Sequence, residues 1–545
     1  MTWEVLHQLK QSQPADRLKE LWEYLLTARN LTSVADQAEF LSPPSPDLSL
    51  IDKLPDLDLG QLKQAAKLVE KAISARQPIL VYGDYDCDGV CATALLWETL
   101  YELGADAKPF IPRRDDHGYG LSLAGLTEAL AQFDRDPLVI TVDNGITAKS
   151  VIESFPQLQF IVTDHHQKSP ELPPAVIVHS QQVCGAGIVW ILASFLRQKP
   201  VSPELVALAT VCDLLPLRGP SRQFVIWGLK ELVHTVRPGL LALFELAGVN
   251  RAALETYHLG YILGPRLNAA GRLGRGLDAL RLLCTQKPLA AQALAQKLSL
   301  LNQDRQDLTE THLDTAIAGL PRQPLPKVLV VASDQFHEGI IGLVAAKLAE
   351  RFHRPAVAVS IKDGQVKGSA RSIKGIHITN LLTQANPGGI ELGGHGQAAG
   401  FKSTLVLFAK FKKNILKLAN EIDDQLFIAR LPIDAELMAL DLSLDLVEHL
   451  EQLAPFGTDN ERPLFSLTAK LAAGRPVGQR QNHLQLNLIT DKQNVKAIGF
   501  NLASRWPEIE SSSNIEVAFN LTKNIYQGRT NFQLQLKDFR PAQDL

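Results

Sequence analysis

The chain is 545 residues long, 46% hydrophobic and 21% charged, a balance that excludes extended disorder and calls for about three or four separate cores. Its formal net charge of −3 gives no global basic field of the kind that marks a nucleic-acid binder, although a carboxylate-rich site masks a basic face in such a sum. Cys87, Cys91, Cys184, Cys212 and Cys284 contain no Cys-x-x-Cys pair, which excludes a disulfide scaffold and a zinc ribbon and points to a reducing compartment.

Residues 1–41 read as helical, and the start MTWEVLHQLKQ lacks the basic and apolar regions of a secretory leader, so a cytoplasmic protein is expected. The Pro-rich piece SPPSPDLSLIDKLPDLDLG completes an N-terminal extension and linker over residues 1–60. Leu62, Ala65, Ala66, Val69 and Ile73 then repeat at helical spacing, and PILVY follows as a short apolar strand. From there strands (KPFIP, LVITV, QFIVT, AVIVH) alternate with helical runs, the order that predicts a parallel sheet, within a domain over residues 61–288. The apolar run GIVWILASFL is too short to span a membrane.

A polar, heptad-like stretch over residues 289–320 predicts a long connecting helix. A second α/β pattern over residues 321–430 opens with PKVLVVAS and contains AVAVS and VKGSARS as adjacent strands joined at KDG. Within residues 431–545, HLQLNLIT, NVKAIGF, NIEVAFNLT and NFQLQLKDF alternate as short strands of a small β-barrel. Residues 464–545 carry ten Lys and Arg against six Asp and Glu. With Phe465, Trp506, Tyr526, Phe532 and Phe539, this basic barrel suits an OB-fold that stacks bases and follows a phosphate backbone.

Four acidic clusters close predicted elements: GDYDCDG, VDNGI, TDHHQ and CDLLP. The carboxyl ends of parallel strands line one crevice, so Asp84, Asp86, Asp88, Asp143, Asp164 and His165 are expected to converge. So many carboxylates together require cations, and hard divalent ions prefer oxygen ligands with an occasional imidazole. A pair of such ions suits hydrolysis of a phosphoester. A calcium loop is excluded because Leu95 stands where the EF-hand requires Glu.

In that order DYDCDG, VDNGI, TDHHQ and ATVCDLLPL resemble the successive motifs of the DHH phosphoesterase family. The resemblance implies a parallel-sheet DHH catalytic domain holding two divalent ions, Mn²⁺ or Mg²⁺, on Asp86, Asp88, Asp143, His165 and Asp213, with Asp84 joining or supporting them. Asp164, His165 and His166 are the implied catalytic group, His166 near the scissile phosphate and Asp164 orienting a histidine. Members commonly carry a histidine four residues before the position of Asp86, where this chain has Tyr82.

GSARSIKG and LGGHGQAAGF resemble the DHHA1 domain that accompanies the catalytic domain in this family. Glycine lets backbone N–H groups approach an anion, Arg371 offers a planar fork, and Ser369, Ser372 and His395 bind oxygen. PRRDDHGYGLS and GPRLNAAGRLGRG resemble motifs of the members that degrade single-stranded DNA and add Arg113, Arg114, His117, Arg266, Arg272 and Arg275. Arg114 and Arg272 among them are assigned to substrate binding. LAPFGTDNERPLF resembles the approach to the OB domain of the same enzymes.

The expected class is therefore α/β: a parallel-sheet DHH domain, a long connecting helix, a smaller α/β DHHA1 domain and a C-terminal OB-like barrel. The resemblance implies a monomeric 5′-to-3′ exonuclease that releases mononucleotides from single-stranded DNA in repair and recombination, away from membranes. It implies a single-stranded-DNA-binding protein and a RecQ-type helicase as partners. Two other readings stay open: a DHH enzyme acting on oligoribonucleotides or bisphosphonucleosides, and a catalytically silent replication scaffold. The first usually lacks the barrel, and the intact acidic residues argue against the second.

Overall fold

The computed structural model describes residues 2–118, 120–322, 324–526 and 529–542, with the side chains of residues 525, 526 and 529, Tyr526 among them, outside that description. The chain divides into two compact units: Ser45–Leu215 with Gln223–Ala429, and Met1–Pro44 with Pro216–Arg222 and Arg430–Leu545. No helix of the described residues is long and apolar enough to cross a membrane.

In the first unit, the predicted parallel sheet has the strand order Ala107–Phe110, Ile79–Tyr82, Leu138–Val142, Gln159–Asp164, Val176–His179. The strands ILVY and LVITV are buried along their whole length, as continuous apolar runs covered on both faces should be. After Ile79–Tyr82 the chain goes first to one side, to Ala107–Phe110, and then crosses to Leu138–Val142 on the other. That reversal opens a crevice at the carboxyl ends of the two strands, where DYDCDG and VDNGI begin.

The connecting helix runs over Pro288–Ala318, and its buried positions Ala291, Ala295, Leu298, Asn302, Thr309, His312 and Ala316 follow the expected heptad-like spacing. It packs on Pro238–Leu246 and Gly264–Leu273 and then on Ile341–Phe352. The second sheet has the order Glu391–Gly394, Ala398–Thr404, Gln365–Arg371, Ala356–Lys362, Leu329–Ser333. Its KDG turn places Asp363 and Gly364 at φ 51° and 75°, the left-handed pair that a two-residue hairpin requires.

In the second unit, Phe465–Val477, His483–Ile489, Asn494–Gly499, Asn514–Tyr526 and Arg529–Pro541 form the barrel, closed by pairing of the first strand with the fourth. The N-terminal segment departs from the helical expectation: Thr2–His7 is a strand, parallel to Arg430–Glu436. Pairing with a strand distant in sequence supplies its backbone hydrogen bonds, and Trp3 Nε1 donates to Asp538 Oδ2 at 2.7 Å. The helices Pro14–Ala28 and Val34–Leu41 follow, and Leu21, Leu25 and Phe40 share one core with Phe465, Phe519 and Phe539. Residues 2–44 are thus built into the barrel unit. Buried Arg222 ties its pieces together by donating to the carbonyls of Phe40, Ala454 and Pro455.

Candidate active site

The DYDCDG turn leads from Ile79–Tyr82 into the helix Cys87–Glu102 and sets its three carboxylates in different roles. Asp84 is fully buried; its Oδ1 accepts the Tyr85 N–H at 2.6 Å and its Oδ2 has no partner. Asp86 caps the helix, accepting the Gly89 N–H at 3.0 Å. Asp88 accepts the N–H groups of Gly185 and Ala186 at 2.6 and 2.7 Å, at the start of the helix Gly185–Arg197, whose partial positive charge favours a carboxylate. Only glycine fits at 185, because a Cβ there would lie 2.6 Å from Asp143 Oδ1.

Asp143 ends the strand Leu138–Val142 at φ 62°, a backbone conformation that costs a non-glycine residue energy and recurs at functional sites. Its N–H donates to Thr163 O at 2.9 Å, while buried Oδ1 has no hydrogen-bond partner. His165 Nε2 lies 3.2 Å from Asp143 Oδ1, 3.5 Å from Asp213 Oδ2 and 3.7 Å from Asp88 Oδ2. Two ligand-like groups result, Asp143 with His165 and His166, and Asp88 with His165 and Asp213.

The electrostatics of this cluster call for a cation. Burial, and then the neighbouring Asp88 and Asp86 carboxylates, push Asp143 and Asp213 well above the carboxylate range. Burial and Asp86 raise Asp84 to about 8 and Asp88 to about 6. Burial beside His166 lowers His165 to about 4, so a neutral imidazole faces several uncompensated carboxyl groups. Orphaned carboxylate oxygens with an imidazole are the donor set of a hard divalent ion, and the residues fit Mn²⁺ or Mg²⁺.

Asp164 stands apart from the ligands. Its Oδ1 takes the N–H groups of His165 and His166 and His166 Nδ1, and its Oδ2 takes the Ile146 N–H. Both oxygens are thus occupied by the chain. Burial pulls His166 down, but Asp164, with help from Asp213 and Asp88, raises it to about 9. Tyr82, at the position where a histidine is common, is buried beside Phe110 with its hydroxyl toward Gly120 O at 3.4 Å. It belongs to the core.

A second cluster is cationic. Arg114 and Arg272 both donate to Gly339 O at 3.4 Å, and Arg371 donates to Ser369 Oγ at 3.2 Å. Burial, then Arg114 and Arg305, lower Arg272 to about 10; burial and Arg114 lower Arg371. Buried Arg305 Nε has no partner. Among the described residues none of these four arginines forms an ion pair with a carboxylate, which leaves their guanidinium groups chemically suited to an anion. Sequence reasoning missed Arg305, although its position between Asn302 and Thr309 on the buried face of the long helix carried the signal.

The remaining expected substrate ligands are placed otherwise. Ser372 Oγ donates to Ile376 O at 2.6 Å, and His395 is exposed on a hairpin whose backbone pairs His395 N with Ala398 O at 2.7 Å. Among the described residues no hydrogen bond joins either side chain to the four arginines. Arg113 pairs with Asp116 and Glu128, His117 with Glu128, and Arg266 with Ser299 Oγ and Ile262 O. Besides Arg272, the GPRLNAAGRLGRG segment supports the first turn: Asn268 Oδ1 accepts the Cys87 N–H at 2.8 Å, and a Cβ on Gly271 would collide with the Tyr85 carbonyl. In the barrel unit, Phe465 and Phe539 are core while Trp506 and Phe532 pack against it. Among the described residues of this unit Phe500 is an exposed aromatic, 51% accessible, in edge contact with His483.

Family models match three stretches of the chain: the DHH family, N-terminal domain, at residues 78–212, the DHHA1 domain at 325–423 and the RecJ OB domain at 433–538. The chain is 31% identical over 561 residues to the single-stranded-DNA-specific exonuclease RecJ of Bacillus subtilis, covering 99% of this chain and 70% of that relative. A crystal structure of RecJ from Thermus thermophilus with Mn²⁺ is similar at TM-score 0.83 and 29% identity, covering 100% of this chain and 80% of that one. The same protein with Mg²⁺ gives TM-score 0.76 at 28% identity, covering 100% and 79%.

Proposed function

The chain belongs to the RecJ family, and from that membership we propose that it is a metal-dependent exonuclease that hydrolyses single-stranded DNA from the 5′ end to mononucleotides. The observation that carries the chemistry is His165 Nε2 within 3.2 to 3.7 Å of oxygens of Asp143, Asp213 and Asp88, beside buried carboxylate oxygens with no partner.

Asp88, Asp143, His165 and Asp213, with Asp84 and Asp86 beside them, would hold two divalent ions, Mn²⁺ or Mg²⁺. Bound there, such a pair activates water and neutralises the charge that develops on phosphorus during in-line displacement. His166, oriented by Asp164 and raised by it above the ordinary imidazole range in the metal-free protein, would donate a hydrogen bond to the phosphate oxygens as negative charge grows on them. Asp164 positions that imidazole. Arg114, Arg272, Arg305 and Arg371 with Ser369 bind the terminal phosphate and fix the register of the strand, so that one nucleotide is cut at a time. Ser372 and His395 lie at the margin of this reading.

The OB barrel favours a long polynucleotide over the short oligoribonucleotide or bisphosphonucleoside substrates of smaller DHH enzymes, and the complete acidic cluster favours catalysis over a scaffold role. A cytoplasmic monomer acting in repair and recombination fits this chemistry. A RecQ-type helicase generates such a strand and a single-stranded-DNA-binding protein carries it, so these are the partners we infer.

Digestion of one oligonucleotide labelled at either end, single-stranded and as a blunt duplex, tests the reading. Early release of the 5′ label as mononucleotide from the single strand alone is expected. Early release of the 3′ label, or equal attack on the duplex, overturns it.

A further inference from the structure

Residues Tyr257–Leu263 take no part in the acidic centre or in the arginine cluster. His258–Leu263 form one π-helical turn, a rare geometry that is frequent at functional sites. The turn leaves Tyr257 58% and Tyr261 74% exposed, with their rings stacked at 5.3 Å between centroids and 21° between planes. His258 is fixed beneath them, its Nδ1 accepting the Glu255 N–H at 3.0 Å. The stacked pair therefore presents its outer ring faces to water, which leaves apolar area unburied unless a ligand covers it.

The position of this face is set by what lies on either side. Cys212 Sγ donates to Leu259 O at 3.6 Å, and a Cβ on Gly260 would lie 3.2 Å from Val211 Cγ1, so the turn is packed on the two residues before Asp213. At its other end the turn runs directly into the helix Gly264–Leu273, which carries Asn268, bound to the first acidic turn, and Arg272 of the cationic cluster. The tyrosines are thus fixed to an element that joins the two halves of the site.

Resting on the exonuclease reading above, we propose that Tyr257 and Tyr261 form a stacking platform for one base of the single-stranded substrate. Arginines and carboxylates deal with its phosphates, and none of them serves the bases. Every base has a π-face, so stacking on tyrosine captures a strand of any sequence. A duplex keeps its bases stacked on one another and cannot offer that face, so the platform also discriminates for single strands.

The test is steady-state hydrolysis with Mn²⁺ by wild type, Tyr261→Ala, the Tyr257→Ala/Tyr261→Ala double variant and Tyr261→Phe. The substrates are an intact oligonucleotide and a series with one abasic nucleotide at successive positions, and unfolding temperatures are recorded in parallel. Loss of stacking is expected to raise KM for the intact strand at least about fivefold with kcat unchanged, while Tyr261→Phe stays near wild type. At one abasic position the alanine variant should then lose nothing further, as coupled groups do. An unchanged KM, or the same loss at every abasic position, overturns the platform. Wild type that fails to digest the intact strand overturns the exonuclease reading instead.

Discussion

Asp164 Oδ1 lies 2.8 Å from His166 Nδ1 and also takes the backbone N–H groups of His165 and His166, so one carboxylate fixes both the orientation and the charge of the second histidine. Burial alone would lower His166; the bond to Asp164 raises it to about 9. Asp164→Asn keeps the shape and removes the charge. Activity is expected to fall about 10- to 100-fold; the wild-type pH–rate profile is expected to decline on the alkaline side near 9, and that decline should move to lower pH in the variant. A profile of unchanged shape would separate Asp164 from His166.

The acidic cluster makes the stability of the metal-free protein depend on pH in a defined direction. Folded Asp84 and Asp88, raised to about 8 and 6, bind protons more tightly than the unfolded chain does. Their contribution is complete below the ordinary carboxylate range and is lost as pH rises through their folded values. In EDTA the unfolding temperature should be higher at about pH 5.5 than at about pH 8.5, and saturating Mn²⁺ should raise it at both while shrinking the difference. Calorimetry checks this; a metal-free protein more stable at the alkaline pH would contradict it.

The cationic cluster predicts recognition of a terminal phosphate. Arg371→Ala and Arg305→Ala should each raise KM for 5′-phosphorylated strands about 10- to 100-fold, the worth of a charge-assisted hydrogen bond, with little change in kcat. Neither variant should then distinguish 5′-phosphate from 5′-hydroxyl ends. A wild-type preference that survives in both would remove the cluster from end recognition.

The barrel unit is tested at its exposed aromatic rather than by truncation, because residues 465–541 share a core with Leu21, Leu25 and Phe40 and would leave that core open if deleted. Phe500 meets His483 at 5.2 Å between ring centroids and has half its surface free. Phe500→Ala should weaken binding of long single strands by about fivefold and leave short ones unaffected. Filter binding with strands of graded length measures it, and equal affinity for all lengths would take Phe500 out of the interface.

Much of this architecture is legible in the sequence because apolar period and turn residues act locally. The strands ILVY and LVITV are continuous apolar runs, and the acidic turns that follow them mark the crevice. What is not legible depends on partners far along the chain. TWEVLH becomes a strand only through Arg430–Glu436. Asp143 and Asp164 look alike in sequence, yet one keeps an orphaned oxygen and the other is saturated by backbone N–H groups, a difference made by the strand ends around them. In sequence Phe465 and Phe539 suit base stacking or a core, with the core favoured for any one of them, and the closed barrel turns both inward.

The central claim is that this carboxylate–histidine cluster carries a metal-dependent hydrolysis, and it is tested most directly by mononucleotide release from a single-stranded oligonucleotide with Mn²⁺, comparing wild type with Asp143→Ala. Removing a buried carboxylate whose Oδ1 has no hydrogen-bond partner should leave the circular dichroism unchanged and reduce release at least about a thousandfold. Release at the wild-type rate by the folded variant would contradict the assignment of the site.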